Sequence, residues 1–161
     1  MLYKNKAFKF LGFSINGSQI SLSKSRIKKF QKDIEARTIK SKKKNVVTDI
    51  LLEVNVANEE TKFGFNSLKV LEAVKEISKL ENVKVKGLMT IAPYVDDPEK
   101  NRQHFVELRR LAIDIDNQNI DNISMGELSM GMTGDYCVAV EEGATMVRVG
   151  TGLFGARNYS I

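Results

Sequence analysis

From about residue 46 onward, apolar and polar positions follow a regular rhythm. The stretch Asp49–Val56 is a short apolar run of β character. Residues 66–80 then place Leu71, Val74, Ile77 and Leu80 at near-helical spacing. A second strand is predicted over Val83–Ile91. After it, Asp97 and Pro98 read as the N-cap and first position of a helix striped by Phe105, Leu108, Ala112 and Ile115. A third strand ends near Leu128–Met130. A short helix follows, with Gly143 as its C-terminal stop, and Thr145–Val149 forms a fourth strand. Strands alternating with helices predict β/α units, with four parallel strands side by side in chain order.

The first 44 residues have a different pattern. Phe8–Ile15 reads as a strand, Asn16-Gly17 as a hairpin turn, and the next short apolar run as its partner. Ile27, Phe30 and Ile34 then share one face of a helix whose other face is basic. Charge separates the two parts. Residues 1–44 carry thirteen Lys and Arg against Asp33 and Glu35, a net of +11, while the remainder carries twelve basic against eighteen acidic residues, a net of −6. The run Lys40–Asn45 reads as a solvated linker. The expected organisation is therefore a basic hairpin-plus-helix segment over 1–44 and an α/β domain over 46–161. The basic helix is either a solvated surface or a contact for nucleic acid. No apolar run approaches membrane-spanning length, and no secretory signal is visible. The lone Cys137 excludes an internal disulfide, so a cytoplasmic setting is expected, with Cys137 as a buried structural thiol.

In parallel β/α folds, ligands bind at the carboxyl ends of the strands. Two glycine-rich segments fall there. After the third strand, Ser129, Gly131 and Thr133 offer hydroxyls and open backbone N–H groups before a helix; after the fourth, Gly150, Thr151 and Gly152 do the same. Helix starts gather unsatisfied donors and partial positive charge, which suits an anion. Arg148 alternates with Val147 and Val149, so it points to the opposite face, toward a ligand if the valines face the helices. Alone, these glycines could equally be tight turns.

The stretches ILLEVNVANEETKFGF, VKVKGLMTIAPYVDDPEKNRQHFVELRRL and LSMGMTGDY…AVEEGATMVRVGTGLFGARNY resemble the pyridoxal phosphate homeostasis protein family, in order, over about Val46–Tyr159. The resemblance implies the C-terminal half, about four β/α units, of a (β/α)8 TIM-type barrel related to alanine racemase. It implies pyridoxal 5′-phosphate as cofactor, with a buffering or delivery role and no enzymatic turnover. By the same resemblance, Ser129, Met130, Gly131, Met132 and Thr133, with Gly150 and Thr151, would contact the phosphate, and Arg148 would face the pyridine nitrogen. The family's cofactor-bonding lysine lies in a first-strand motif that this sequence lacks. Lys24, in ISLSKS, imitates that motif only superficially. Phe8–Ile39 resembles the end of the palm and start of the thumb of group II intron-type reverse transcriptases, without polymerase aspartates. These readings predict a truncated barrel fused to a segment of other origin, weak non-covalent cofactor binding, and self-association through open sheet edges. The alternatives are nucleic-acid binding through residues 1–44, or a non-functional fusion.

Overall fold

A computed structural model describes residues 47–59 and 62–156. The hairpin, the basic helix, Lys24 and the Lys40–Asn45 run all lie outside the described residues. Strand β1 spans Thr48–Asn55, β2 Phe65–Asn66, β3 Val83–Met89, β4 Ile123–Met132 and β5 Met146–Arg148. Between and after them come α1 (Val70–Ile77), a 3-10 turn (Pro98–Asn101) that leads into α2 (Arg102–Asp116), α3 (Tyr136–Glu141) and α4 (Thr151–Phe154). The sheet order is β2-β1-β3-β4-β5, and every pair is parallel. The four expected strands stand side by side in chain order, and β2 adds a two-residue edge that no apolar run announces.

Alternation divides the sheet into two faces. Ile50, Leu52 and Val54 of β1, Val83, Val85 and Leu88 of β3, and Leu128 and Met130 of β4 join the core with the buried sides of α1, α2 and α3. In α2 the buried stripe is Phe105, Leu108, Ala112 and Ile115, as the spacing predicts. Asp97 accepts the N–H of Glu99 at 3.1 Å, and Pro98 opens the turn. Gly143, at φ +94°, closes the chain after α3.

Two elements differ from the pattern. α1 is shorter than 66–80 and buries Val70, Ala73, Val74 and Ile77. Its beginning is lost because the Asn66 side chain accepts the Leu68 N–H at 2.9 Å, which holds a turn where the helix would start. Cys137 is exposed rather than buried. The six-residue α3 turns only Val138 and Ala139 into the core, and Cys137 falls on its outer side.

The opposite face of the sheet carries Leu51 and Glu53 of β1, Gly87 and Met89 of β3, and Ser129 of β4. Registers align Leu51 with Gly87 and Glu127, and Glu53 with Met89, Ser129 and Met146. The register shifts around Gly87 on both neighbours. On the β4 side the backbones approach closely: a Cβ on Gly87 would lie 1.7 Å from the Glu127 carbonyl oxygen. Gly87→Ala therefore forces β3 and β4 apart. We expect a stability loss of about 3 kcal/mol, read as a lower urea midpoint, whereas Gly126→Ala, whose added Cβ meets no atom within 4 Å, changes the midpoint little.

Candidate functional site

The carboxyl ends of β3, β4 and β5 are tied together by one guanidinium. Arg148 Nη1 donates to the Ser129 hydroxyl at 2.7 Å and to the Ser129 carbonyl at 3.2 Å, while Nη2 donates to the Thr90 carbonyl at 2.7 Å. Thr90, fully buried, also donates its hydroxyl to the Val54 carbonyl at 2.8 Å and its N–H to the Ser129 carbonyl at 3.1 Å. All three recorded partners of Arg148 are neutral oxygens, and among the described residues no carboxylate forms an ion pair with it. Burial lowers its pKa; the charges of Glu53 and Asp135 oppose that shift. A guanidinium starts so high that it stays charged. The result is a half-buried cation on the helix-free face, as the alternation with Val147 implies. Val147 itself is exposed, because β5 is the edge strand of the described sheet.

Glu53 is the acidic counterpart, two strands from Ser129 in the same row. Burial pushes its carboxyl above the ordinary 4.5, and Arg148 draws it partly back.

At the edge beyond this row, the two glycine-rich segments meet. The Thr133 hydroxyl accepts the Gly152 N–H at 3.2 Å and shares a hydrogen bond with the Thr151 hydroxyl at 3.0 Å. Thr151 and Gly150 are exposed, and Thr133 is half-buried; the Gly150 N–H is nonetheless not open, because it donates to the Arg148 carbonyl at 3.1 Å. The short α4 has only four residues, so little helix dipole accumulates there.

The structure distributes the other expected ligands differently. Ser129 is buried and its hydroxyl is held by Arg148, so it positions the cation. Met130 turns into the helix-side core. Gly131, at φ +90°, packs against α3, where a Cβ would lie 2.6 Å from that of Ala139. The Met132 N–H is not open: it donates to Asp135 Oδ1 at 2.6 Å. Asp135 Oδ2 accepts from Asn101 at 2.8 Å. Sequence reasoning missed Thr90, Glu53, Asp135 and Asn101. Asp135 stands three residues after Met132, a spacing that could have signalled a side chain closing its own turn. Among the described residues, no group of three His, Cys, Asp or Glu is arranged to hold a metal, and no helix is long and apolar enough to cross a membrane.

Residues 30–158 match the family model of the alanine racemase N-terminal domain. The chain belongs to the alanine racemase N-terminal domain family. Its match begins at residue 30, inside the basic part of the sequence. Within the family, the chain is 47% identical over 127 residues to the pyridoxal phosphate homeostasis protein of Aquifex aeolicus, covering 79% of this chain and 54% of that protein. The crystal structure of an unknown protein from Bifidobacterium adolescentis superposes with a TM-score of 0.69 at 35% identity, covering 76% of this chain and 48% of the other. PipY of Synechococcus elongatus PCC7942, solved with PLP bound, gives a TM-score of 0.60 at 31% identity, covering 70% and 51%. The chain spans about half the length of the curated relatives it matches. Homology to the pyridoxal phosphate homeostasis proteins and an α/β fold of part of a barrel-like domain are thus established. The relatives' shared name describes homeostasis of the cofactor and no reaction.

The Glu53 shift has a sign that stability can read. An acid whose pKa rises on folding binds its proton more tightly in the folded state. Its contribution is full below the ordinary 4.5 and is lost as pH climbs through the raised value. Glu53→Gln should therefore raise the urea midpoint at pH 7–8, with the gain shrinking toward pH 4. A gain that persists undiminished at pH 4 would assign it to packing instead.

Proposed function

We propose that this chain holds pyridoxal 5′-phosphate without a covalent bond, as a cofactor-binding protein rather than an enzyme. The observation that carries this reading is the half-buried Arg148, bonded among the described residues only to neutral oxygens, at the same carboxyl edge of the sheet as the paired hydroxyls of Thr133 and Thr151. These residues fit the group. The threonine hydroxyls and the Thr151 N–H would take the phosphate, and Arg148 would face the ring nitrogen. The bound cofactor supplies an electron-withdrawing ring. A guanidinium keeps its protons near neutral pH, so Arg148 can donate a hydrogen bond but cannot protonate the ring nitrogen. This favours holding over carbanion chemistry. The strand lysines, Lys84 and Lys86, lie roughly 10–16 Å along β3 from the Met89 row, away from this edge. The family match and the likeness to PipY support the choice of ligand.

Each charge-assisted hydrogen bond contributes on the order of 1.5–3 kcal/mol, against an association cost of at least about 4 kcal/mol. Three or four such bonds place affinity in the high-micromolar to millimolar range. Titration of the full chain with pyridoxal 5′-phosphate, followed by absorbance, should give that range, and Arg148→Ala with Thr151→Ala should abolish saturation. Unchanged binding in the double variant would reject the assigned edge. Borohydride reduction and peptide mapping should give no stoichiometric adduct; one at Lys24 would overturn the non-covalent reading.

A second reading concerns residues 1–44, whose charge of +11 suits a polyanion. The full chain should bind single-stranded RNA at low salt and lose affinity steeply by about 200 mM, with Lys42, Lys43 and Lys44 replaced by Gln weakening it further. Salt-independent binding would exclude backbone-phosphate contact.

A further inference from the structure

Asn101 is a polar side chain buried to 1% exposure at the junction between the 3-10 turn and α2. Its amide nitrogen donates to the Pro93 carbonyl at 2.9 Å and to Asp135 Oδ2 at 2.8 Å. Among the described residues its Oδ1 has no partner. The two acceptors fix the amide's orientation, since a flip would set an oxygen against both. A buried amide that leaves one atom unsatisfied is costly. This one persists because its two donated bonds link three segments: the loop after β3, the start of α2, and the turn after β4.

The third link runs on to the anion-binding edge. Asp135 accepts the Met132 N–H at 2.6 Å through Oδ1, and its own N–H donates to the Met132 carbonyl at 3.1 Å. The Met132–Asp135 turn is thereby closed by two bonds, with Thr133 inside it. From that turn the Thr133 hydroxyl reaches the Gly152 N–H and the Thr151 hydroxyl. We propose that Asn101 is a positioning residue for this edge, acting through Asp135 to set the turn that presents Thr133. The proposal rests on the anion-binding role of the edge given above.

The same bonds manage a charge. Asp135 lies near enough to Arg148 to affect its titration, and a carboxylate free to swing toward the edge would repel an anion. Asn101 and the Met132 N–H occupy both carboxylate oxygens. Other ionisable groups around the pair are Tyr136 and Cys137, which follow Asp135 on α3, and Arg102, which follows Asn101. The Arg102 guanidinium is committed to Glu99, Glu141 and Glu142 at 2.6–2.8 Å, so it is not available to replace the amide.

The test uses the full chain and begins without ligand. Amide hydrogen exchange at Met132 and Gly152 is compared in the parent and in Asn101→Ala, Asn101→Asp and Asp135→Asn. Asn101→Ala should accelerate exchange about tenfold at both amides, while Leu52 and Leu88 in the core keep their protection. Gly152 is the informative position, because Asn101 does not touch it. Asp135→Asn opens no cavity and keeps an acceptor for Met132, but it opposes two amide donors, and should also accelerate Gly152. Asn101→Asp places two carboxylates within bonding distance. It should match the Ala variant above pH 7 and return toward the parent below about pH 5, where a shared proton replaces the amide proton. Affinity for inorganic sulfate, whose charge is constant over this range, should fall about tenfold in the Ala and Asp variants at pH 7.5 and recover in the Asp variant alone at low pH. Parental exchange at Gly152 in all three variants, or identical pH profiles for the Ala and Asp variants, would overturn the proposal. A parent that binds neither sulfate nor pyridoxal 5′-phosphate would reject the function proposed above, and Gly152 exchange would still decide the role of Asn101.

Discussion

The carboxyl edge of this sheet depends on a cation with no carboxylate bonded to it among the described residues. Arg148 spans from β5 to Ser129 on β4 and to the Thr90 carbonyl just after β3, and Thr90 extends the tie to Val54 on β1. Adjacent parallel strands are joined by slanted ladders that weaken at their ends. A side chain that bonds across two strand gaps holds those ends in register where the ladder no longer does. A directly bonded carboxylate would satisfy the guanidinium more fully, but it would also occupy its donors. Neutral oxygens hold Arg148 in place and leave its charge unspent.

Around that cation, the segments divide into holders and presenters. Ser129, expected as a ligand, holds Arg148. Gly131 gives up a side chain so that β4 can turn tightly against α3. Thr133 and Thr151, eighteen residues apart in the chain, present their hydroxyls together. The acidic residues are placed with equal consequence. Glu53 faces the same side as Arg148 without bonding it, and burial disfavours its charge. Asp135 is near Arg148, yet both its oxygens are engaged elsewhere.

Half the length of the matched relatives is represented in this chain, and the local architecture is nonetheless that of a continuous parallel sheet. Strands β1, β3 and β4 bury one face against α1, α2 and α3, and these build the core of the described residues; the four-residue α4 after β5 buries none of its own. The family match that begins at residue 30 places part of the basic segment inside the family's domain. Charge composition separates the chain at a different point from homology, because composition reports on surface and homology on the packed framework.

The sequence by itself determined the order and direction of the strands, the buried stripe of α2 and the stop at Gly143. Each is a consequence of local periodicity or a local backbone preference, which a linear pattern carries in full. It also named Thr133 and Thr151, each in its own glycine-rich segment at a strand end; their pairing is tertiary. Tertiary structure decided which nominal ligands are available. Ser129 and the Met132 N–H are taken by Arg148 and Asp135, the Gly150 N–H by the Arg148 carbonyl, and Met130 by the core. It decided the exposure of Cys137, which depends on how few residues of α3 reach the sheet. It decided the burial of Asn101, whose partners lie eight and thirty-four residues away. Hydrogen-bond partners of that separation leave no periodic trace, because a side chain's availability depends on what folding brings against it.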